Sequence, residues 1–508
     1  MWFRVTIMLL TYANLATLPA NGARILAVET MSGKSHWNFM SGVLRPLVDS
    51  GHTVTAFTPF PDGDRENYTE VDISGDMSRF QDKDLKGVIV NWSDPIRTID
   101  FIASLSKKKC DIMYANNRMI EVMRQNGNSH FDLVIIEPIM SECVSYLATL
   151  LDVPMIYAIP LSITSLMERY NTGHFPNPVI DSHVMSAYGM PTTFVQRLAN
   201  AALIVYGLVS TEFTASRVKC TNPRPYDLVP LYKPSLVFVN GHPVMTAPSP
   251  GVASVVNVGG IHLTVAKSLP KDILEFIEQS PIGVIYFSFG STVKTSSLPE
   301  HIKKAFFEAL AELPQRILMK YEEELQDKPK NIMTKKWLPQ RDILLHPNVK
   351  LFISHGGISG LYETIDAGVP ILGFPLFGDQ PRNIDTLVNN GMAISMDLFS
   401  VTKESFLKNV LDLLNNEKYT KNAKSSSEIF KDRSMSPEQS VVYWTEYVIR
   451  HKGAPHLKSN AYALTWYQYY LVDVISSILI FVFIVFFVIY KVLKLGYYIF
   501  INFKQIKT

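Results

Sequence analysis

The feature that most restricts this chain is a set of short apolar runs, each ending at a turn signal and leading toward a helix-period segment. "FDLVIIE" (131–137), "VPMIYAI" (153–159), "GVIYFSFGS" (283–291) and "KLFIS" (350–354) are such runs. A strand apolar on both faces is stable only when helices cover both, which is the parallel sheet of an α/β fold. After "FDLVIIE" come Pro138 and a helical stripe of Cys143, Tyr146, Leu147 and Leu150, then the next strand. The chain opens the same way. "RILAVE" is a strand, Met40, Val43, Leu44 and Leu47 mark a helix ended by Gly51, and "HTVTAFT" is a second strand. Ser35 is the expected N-cap of that helix.

Length then sets the number of lobes. At 508 residues the chain exceeds one ordinary core. The stretch Asn240 to Leu263, dense in Pro and Gly, is the expected linker. A second α/β pattern follows it: "GVIYFSFGS", a helix over Pro299 to Leu313, "KLFIS", and a strand over Val369 to Phe374. Two α/β lobes in tandem imply a cleft between them.

Both ends carry membrane signals. Residues 1–22 read as a signal peptide, with Arg4, an apolar run and small residues around Ala20 to Ala23. Residues 471–490, "LVDVISSILIFVFIVFFVIY", cover the roughly 30 Å hydrocarbon core at about 1.5 Å per residue. Lys491, Lys494, Lys504 and Lys507 follow this span, against Lys452 and Lys458 before it. The expected topology is single-pass type I, with a short cytoplasmic tail over 491–508. Asn67-Tyr-Thr69 and Asn91-Trp-Ser93 are sequons that serve as topology reporters. Cys110, Cys143 and Cys220 allow at most one internal disulfide and have no metal spacing.

A net charge of +2 provides no field for nucleic acid. Lys107 to Lys109 read as a solvated helix face without functional weight. The apolar segment "ALIVYGLV" (202–209) reads as a pocket wall, a bilayer contact or a core helix.

The densest chemistry lies in "SHGGISGLYE", Ser354 to Glu363. A strand precedes it, His355-Gly356-Gly357 makes the turn, and Ile358, Leu361, Tyr362 and Ile365 form the stripe of a helix ending at Gly368. Backbone N–H groups at such a helix start bind anions, and glycines admit a pyrophosphate close to the backbone. His355 can donate to phosphate oxygens, and Glu363 can accept from ribose hydroxyls. In the first lobe, His36 lies near a helix start, which favours a neutral ring able to accept a proton. Glu137 closes its own strand on the carboxyl rim of the sheet, where open α/β folds bind ligands.

"KWLPQ" begins upstream of this motif at Lys336 and "PLFGDQPRN" lies downstream from Pro375. The segment Trp337 to Asn383 resembles the signature of the UDP-glycosyltransferases, and the "FSFGS" loop and both termini match the membrane-bound animal branch. The resemblance covers essentially the whole chain. It implies a GT-B fold of two Rossmann-like lobes: an N-terminal acceptor lobe over 23–262, and a C-terminal donor lobe over 263–455 with a helix returning to the first. The resemblance further implies that Trp337 stacks on uracil and Gln340 bonds its edge, that Ser291, His355 and Gly360 contact the diphosphate, that Glu363 holds the ribose, and that Asp379 with Gln380 holds the sugar. The resemblance makes His36 the catalytic base, with Glu137 to orient it where the family usually has Asp. Ser359 replaces an Asn found in many members.

The expected activity is inverting, metal-independent transfer of a hexose from a UDP-sugar to a small lipophilic acceptor, with no cofactor. UDP-glucose suits the acidic Asp379, whereas UDP-glucuronate requires a cation such as Arg382; galactose stays open. Expected partners are the UDP-sugar, the acceptor, membrane lipid and, as a homo-oligomer, a second copy of the chain. The resemblance places the protein in the endoplasmic reticulum membrane with a lumenal body and a role in detoxification. Two alternatives remain. A glycosidase needs a matched carboxylate pair and leaves the nucleotide-like half unexplained. A membrane-anchored binding protein of the same fold without transfer stays open through Glu137 and Ser359.

Overall fold

The computed structural model describes residues 22–77, 94–124, 131–162, 171–246, 251–291, 293–325 and 328–506. Apart from Gly22, the expected signal peptide lies outside these residues, as does the sequon at Asn91. Residues up to Lys458 form one compact unit, and Ser459–Thr508 form another.

The first unit is built on two parallel sheets. The first contains β1 (Arg24–Val28), β2 (Thr53–Thr58), β3 (Tyr68–Asp72), β4 (Leu133–Ile136), β5 (Met155–Ile159), β6 (Leu236–Val239) and β7 (Val255–Asn257), in the order β3-β2-β1-β4-β5-β6-β7. Alternation along β1 sends Ile25 and Ala27 to one face and Leu26 and Val28 to the other. The first pair packs with Trp37, Met40, Val43 and Leu47 of the helix Lys34–Asp49. Val441 and Val448 of the helix Pro437–Arg450 complete that layer, so a late helix closes the core of the first sheet. The second pair packs with Cys110, Met113 and Leu147.

The second sheet contains β8 (Val284–Ser288), β9 (Arg316–Lys320), β10 (Ile332–Lys335), β11 (Val349–Ser354), β12 (Ile371–Gly373) and β13 (Ala393–Ser395), in the order β10-β9-β8-β11-β12-β13. Ile285 and Phe287 face the helices Glu300–Ala311 and Lys403–Asn415, while Val284 and Tyr286 face Ile273 and Ile277 of the helix Lys271–Glu278. In both sheets the order reverses beside the first strand, between β1 and β4 and between β8 and β11. Ligands of open α/β sheets bind at that reversal, outside the carboxyl ends of the strands.

Several sequence expectations change. β7 lies inside the Pro/Gly-rich stretch read as linker, pairing Val237 with Val255 and Phe238 with Val256. Gly33, not Ser35, is the N-cap of the first helix, because its carbonyl already accepts from the N–H groups of His36 and Trp37 at 3.1 and 3.2 Å. The lysine run is not a solvated face. Lys108 alone is exposed; Lys107 donates to Asp227 Oδ2 at 2.8 Å, and Lys109 is buried because it falls on the inward stripe of the helix Pro95–Ala115. The segment 202–209 belongs to the helix Phe194–Thr221, which is neither a core helix nor a wall of the cleft. Phe194, Leu198, Val205, Val209 and Phe213 point outward. Cys110 and Cys143 form the one disulfide that three cysteines allow, and Cys220 is free and exposed.

In the second unit the helix Val472–Ile506 is continuous past Tyr490, and the most apolar 18-residue window of its portion Val472–Asn502 has a mean hydropathy of 3.0. It is a candidate membrane span.

Candidate active site

The carboxyl ends of both sheets border one cavity of about 710 Å³. Each wall follows from its own sheet's reversal point.

On the first sheet's side, His36 stands in the first turn of the helix that leaves β1, and Glu137 follows β4 directly. His36 Nδ1 and Glu137 Oε1 are 2.6 Å apart, so the longer Glu side chain reaches the ring. The carboxylate faces Nδ1, which assigns the proton to that nitrogen and leaves the Nε2 lone pair free to accept one. Glu137 is buried, and burial pushes its pKa up to about 7. Burial lowers the His36 pKa; Glu29 acts in the raising sense, Lys109 lowers it further, and Asp379 also raises it. Glu137 does not itself line the cavity; it stands behind His36. Met31, Ile102, Ile139, Met140, Ile159 and Leu161 make this half of the wall apolar.

On the second sheet's side, β8 and β11 each end in a serine that fastens the following turn. Ser288 Oγ accepts from Gly290 N and Ser354 Oγ from Gly356 N, both at 3.2 Å. His355 is wedged between two glycines. A Cβ on Gly290 (φ +75) falls 2.6 Å from the ring, and one on Gly357 falls 2.7 Å from it, so neither position admits a side chain without moving the histidine. Burial lowers His355 to about 4, with Lys320 acting in the same sense, so the ring is neutral. Its Nδ1 is buried without a hydrogen-bond partner among the described residues.

The helix Ile358–Ala367 starts at Gly357 with no side-chain cap. The first-turn N–H groups, at Ile358, Ser359 and Gly360, have no intrahelical acceptor, and all three residues line the cavity. Gly356 sits behind the turn and does not line it. Farther along this helix, Glu363 Oε2 accepts from Gln340 Nε2 at 2.6 Å, and Gln340 Oε1 accepts from Tyr286 Oη at 3.2 Å. Burial raises Glu363 to about 7. Trp337, 69% exposed, and Ser291 line the same cavity.

Asp379 crosses from one wall to the other. Its Oδ2 accepts from Asn383 Nδ2 at 2.6 Å; burial raises its pKa, and the nearby His36 opposes that rise. Gln380 lines the cavity, but its Oε1 already takes the N–H groups of Leu376 and Phe377 at 2.9 and 3.3 Å, leaving only its amide N–H groups for a ligand. Arg382 acts on Asp379 and on His183 and does not line the cavity.

Several wall and support residues escaped the sequence reading. Lys320 and Tyr286 line the cavity from β9 and β8, and His262 Nε2 bonds the Ser359 carbonyl at 3.1 Å. Glu29 follows β1 as Glu137 follows β4, so the rule that found one carboxylate could have found the other.

The chain matches the family model "UDP-glucoronosyl and UDP-glucosyl transferase" over residues 23–507. It is 36% identical to UDP-glucosyltransferase 2 of Dactylopius coccus, covering 94% of each chain. It is 32% identical to UDP-glucuronosyltransferase 2B19 of Macaca fascicularis, covering 90% of this chain and 91% of the other. Among solved structures, the kitacinnamycin glycotransferase superposes with a TM-score of 0.55 at 16% identity, covering 85% of this chain and 99% of that one. SnogD from Streptomyces nogalater gives 0.53 at 16%, covering 84% and 99%. These two likenesses establish the GT-B fold. With the family model matched from the first strand into the final helix, the chain belongs to the UDP-glycosyltransferase family and is a UDP-sugar-dependent glycosyltransferase.

Proposed function

We propose that this enzyme transfers glucose from UDP-glucose, with inversion, to a hydroxyl of a small lipophilic acceptor. The observation that carries the reading is the His36–Glu137 pair at 2.6 Å, opposite Asp379 and the uncapped helix start at Gly357. The acceptor lies on the apolar half of the wall with its hydroxyl at His36 Nε2. As the acceptor oxygen attacks the anomeric carbon, its proton passes to Nε2 and Glu137 stabilises the imidazolium. The bond from that carbon to the β-phosphate oxygen breaks, and its electron pair leaves with UDP. The N–H groups of Ile358, Ser359 and Gly360, with His355, Ser291 and the helix dipole, receive that charge without a metal. A single displacement inverts the anomeric centre.

Trp337 offers its ring to uracil and Gln340 its edge, while Glu363 accepts from the ribose. Asp379 grips the hexose hydroxyls, with the Gln380 amide beside it. An acidic residue at the sugar favours glucose over glucuronate, and Arg382 lies off the cavity wall. The family resemblance supports a body in the lumen of the endoplasmic reticulum, anchored by Val472–Asn502. Exposed Asn67 then lies on the glycosylated side, and protease added to sealed microsomes trims only the tail.

Incubation with mixed UDP-sugars and a panel of lipophilic phenols and alcohols, read by mass spectrometry and by NMR of the anomeric proton, tests the reading. A β-glucoside from UDP-α-glucose is expected. A retained anomer, or faster transfer of glucuronate that is lost in Arg382→Ala, overturns it.

A further inference from the structure

Behind the His36–Glu137 pair lies a second layer of charge that the transfer mechanism does not use. Glu29, on the residue after β1, is 1% exposed, and its Oε1 accepts from Met31 N at 2.7 Å. Glu137 Oε1 is taken by His36 in the same way. Each carboxyl therefore has one oxygen left, Oε2, and among the described residues neither has a hydrogen-bond partner although both are buried. The two carboxyls are close enough to hydrogen-bond one another. Two buried carboxylates this near cannot both ionise readily, whereas one proton shared between the pair lets the protonated carboxyl donate to its neighbour.

The compensating positive charge comes from the helix Pro95–Ala115. Lys109 is 7% exposed, and its Nζ lies 3.2 Å from Met31 Sδ, within the field of Glu137, Glu29 and Glu142. Its neighbour Cys110 is bonded to Cys143, the neighbour of Glu142, so the disulfide ties together the two segments that carry these charges. The groups acting on His36 are thus Glu29 after β1, Lys109 from the helix, Glu137 after β4 and Asp379 from the opposite wall.

We propose that Glu29 and Lys109 are positioning residues of the transfer reaction: Glu29 holds a proton that it donates to Glu137, and Lys109 balances the single negative charge left behind His36. Glu137 carries that charge because it alone of the two carboxyls touches the imidazole. Burial and Glu137 raise Glu29 well above the usual carboxylate range, in keeping with this assignment. The Lys109 ammonium disfavours a second positive charge on His36 and so keeps the base neutral at lower pH.

This inference rests on the reading of His36 as the base, and the two are tested separately. The pH dependence of kcat/KM is measured for the wild type, Lys109→Met, Glu29→Ala and Glu29→Gln, with any residual activity of His36→Ala as the control. The position of the acid limb is independent of how much of each variant folds. Lys109→Met is expected to move that limb upward by roughly one pH unit, as loss of a neighbouring charge does. Glu29→Ala is expected to lower kcat by about tenfold or more with KM for the UDP-sugar little changed. Glu29→Gln, whose amide still donates to Glu137, is expected to recover most of that loss. An acid limb unmoved in Lys109→Met, or a Glu29→Gln variant as impaired as Glu29→Ala, overturns the proposal. Residual activity of His36→Ala that keeps the wild-type acid limb overturns the base assignment instead.

Discussion

The two reversal points share a topology and have opposite chemistry. Between β1 and β4 the wall and its support are built of ionisable side chains, His36, Glu137, Glu29 and Lys109, all shifted by burial and by one another. Between β8 and β11 it is occupied by glycines, two serine-fastened turns and a histidine lowered to about 4 that stays neutral. Parallel-sheet topology thus decides where a ligand can sit. The residues at the strand ends decide whether a wall presents ionisable side chains or backbone N–H groups.

The sharpest way to break this contrast is to remove the proton-handling group. His36→Ala is expected to lower transfer by at least about 100-fold, the usual scale of a general base, while UDP binding measured by calorimetry barely moves. Parallel loss of both places His36 with the donor and erases the division of labour. Glu137→Gln should fall in the same direction by less, because Glu137 orients the ring and takes no proton.

Asp379→Ala probes the point where the two walls meet. Hydrogen bonds to a charged group contribute about 1.5–3 kcal/mol, so kcat/KM for the UDP-sugar should fall roughly ten- to 150-fold. UDP itself lacks the sugar, and its affinity should hold. Loss of UDP affinity moves Asp379 from the sugar to the nucleotide.

On the backbone wall, Gly357→Ala places a methyl 2.7 Å from the His355 ring. Overpacking of this kind costs about 1–3 kcal/mol, and on the proposed reading it displaces a phosphate contact, so the UDP dissociation constant should rise by about tenfold. The same variant should leave the acid limb of the pH profile unmoved, because that limb belongs to the other sheet. A shifted limb with unchanged UDP affinity reverses the contrast.

How much of this was readable in advance differs between the walls. The backbone wall is local: strand, turn and helix lie within Val349 to Ala367, and glycines advertise the turn, so Ser354 to Glu363 could be placed from the sequence alone. The proton-handling wall is assembled from Glu29, His36, Lys109 and Glu137, which are far apart in the chain. Lys109 looked solvated because it sits in a run of three lysines. Yet it continues the buried stripe of Ile99, Ile102 and Met113, and that phase was the available signal. The three residues of β7 are too few to show alternation, and the Gly and Pro around them hid the strand.

The smallest expected effect tests whether the backbone wall is as indifferent to pH as the contrast implies. Glu363 on this wall is raised to about 7 by burial, opposed by the Gln340 amide. Below that value the carboxyl is mostly protonated and accepts weakly from a ribose hydroxyl; above it the carboxylate accepts a charge-assisted bond. The difference between neutral and charged acceptors is about 1 kcal/mol, so UDP affinity should strengthen roughly fivefold as pH rises from about 6 to about 8. The sign follows from the group: ribose binding favours the ionised form, so it also lowers the Glu363 pKa and releases a proton. In Glu363→Gln the affinity should be weaker and flat over the same range, since His355 titrates well below it. A wild-type affinity that is already flat removes Glu363 from the ribose and leaves that role to another residue. A slope that persists in Glu363→Gln but vanishes in His36→Ala shows instead that the proton-handling wall reaches across to the donor.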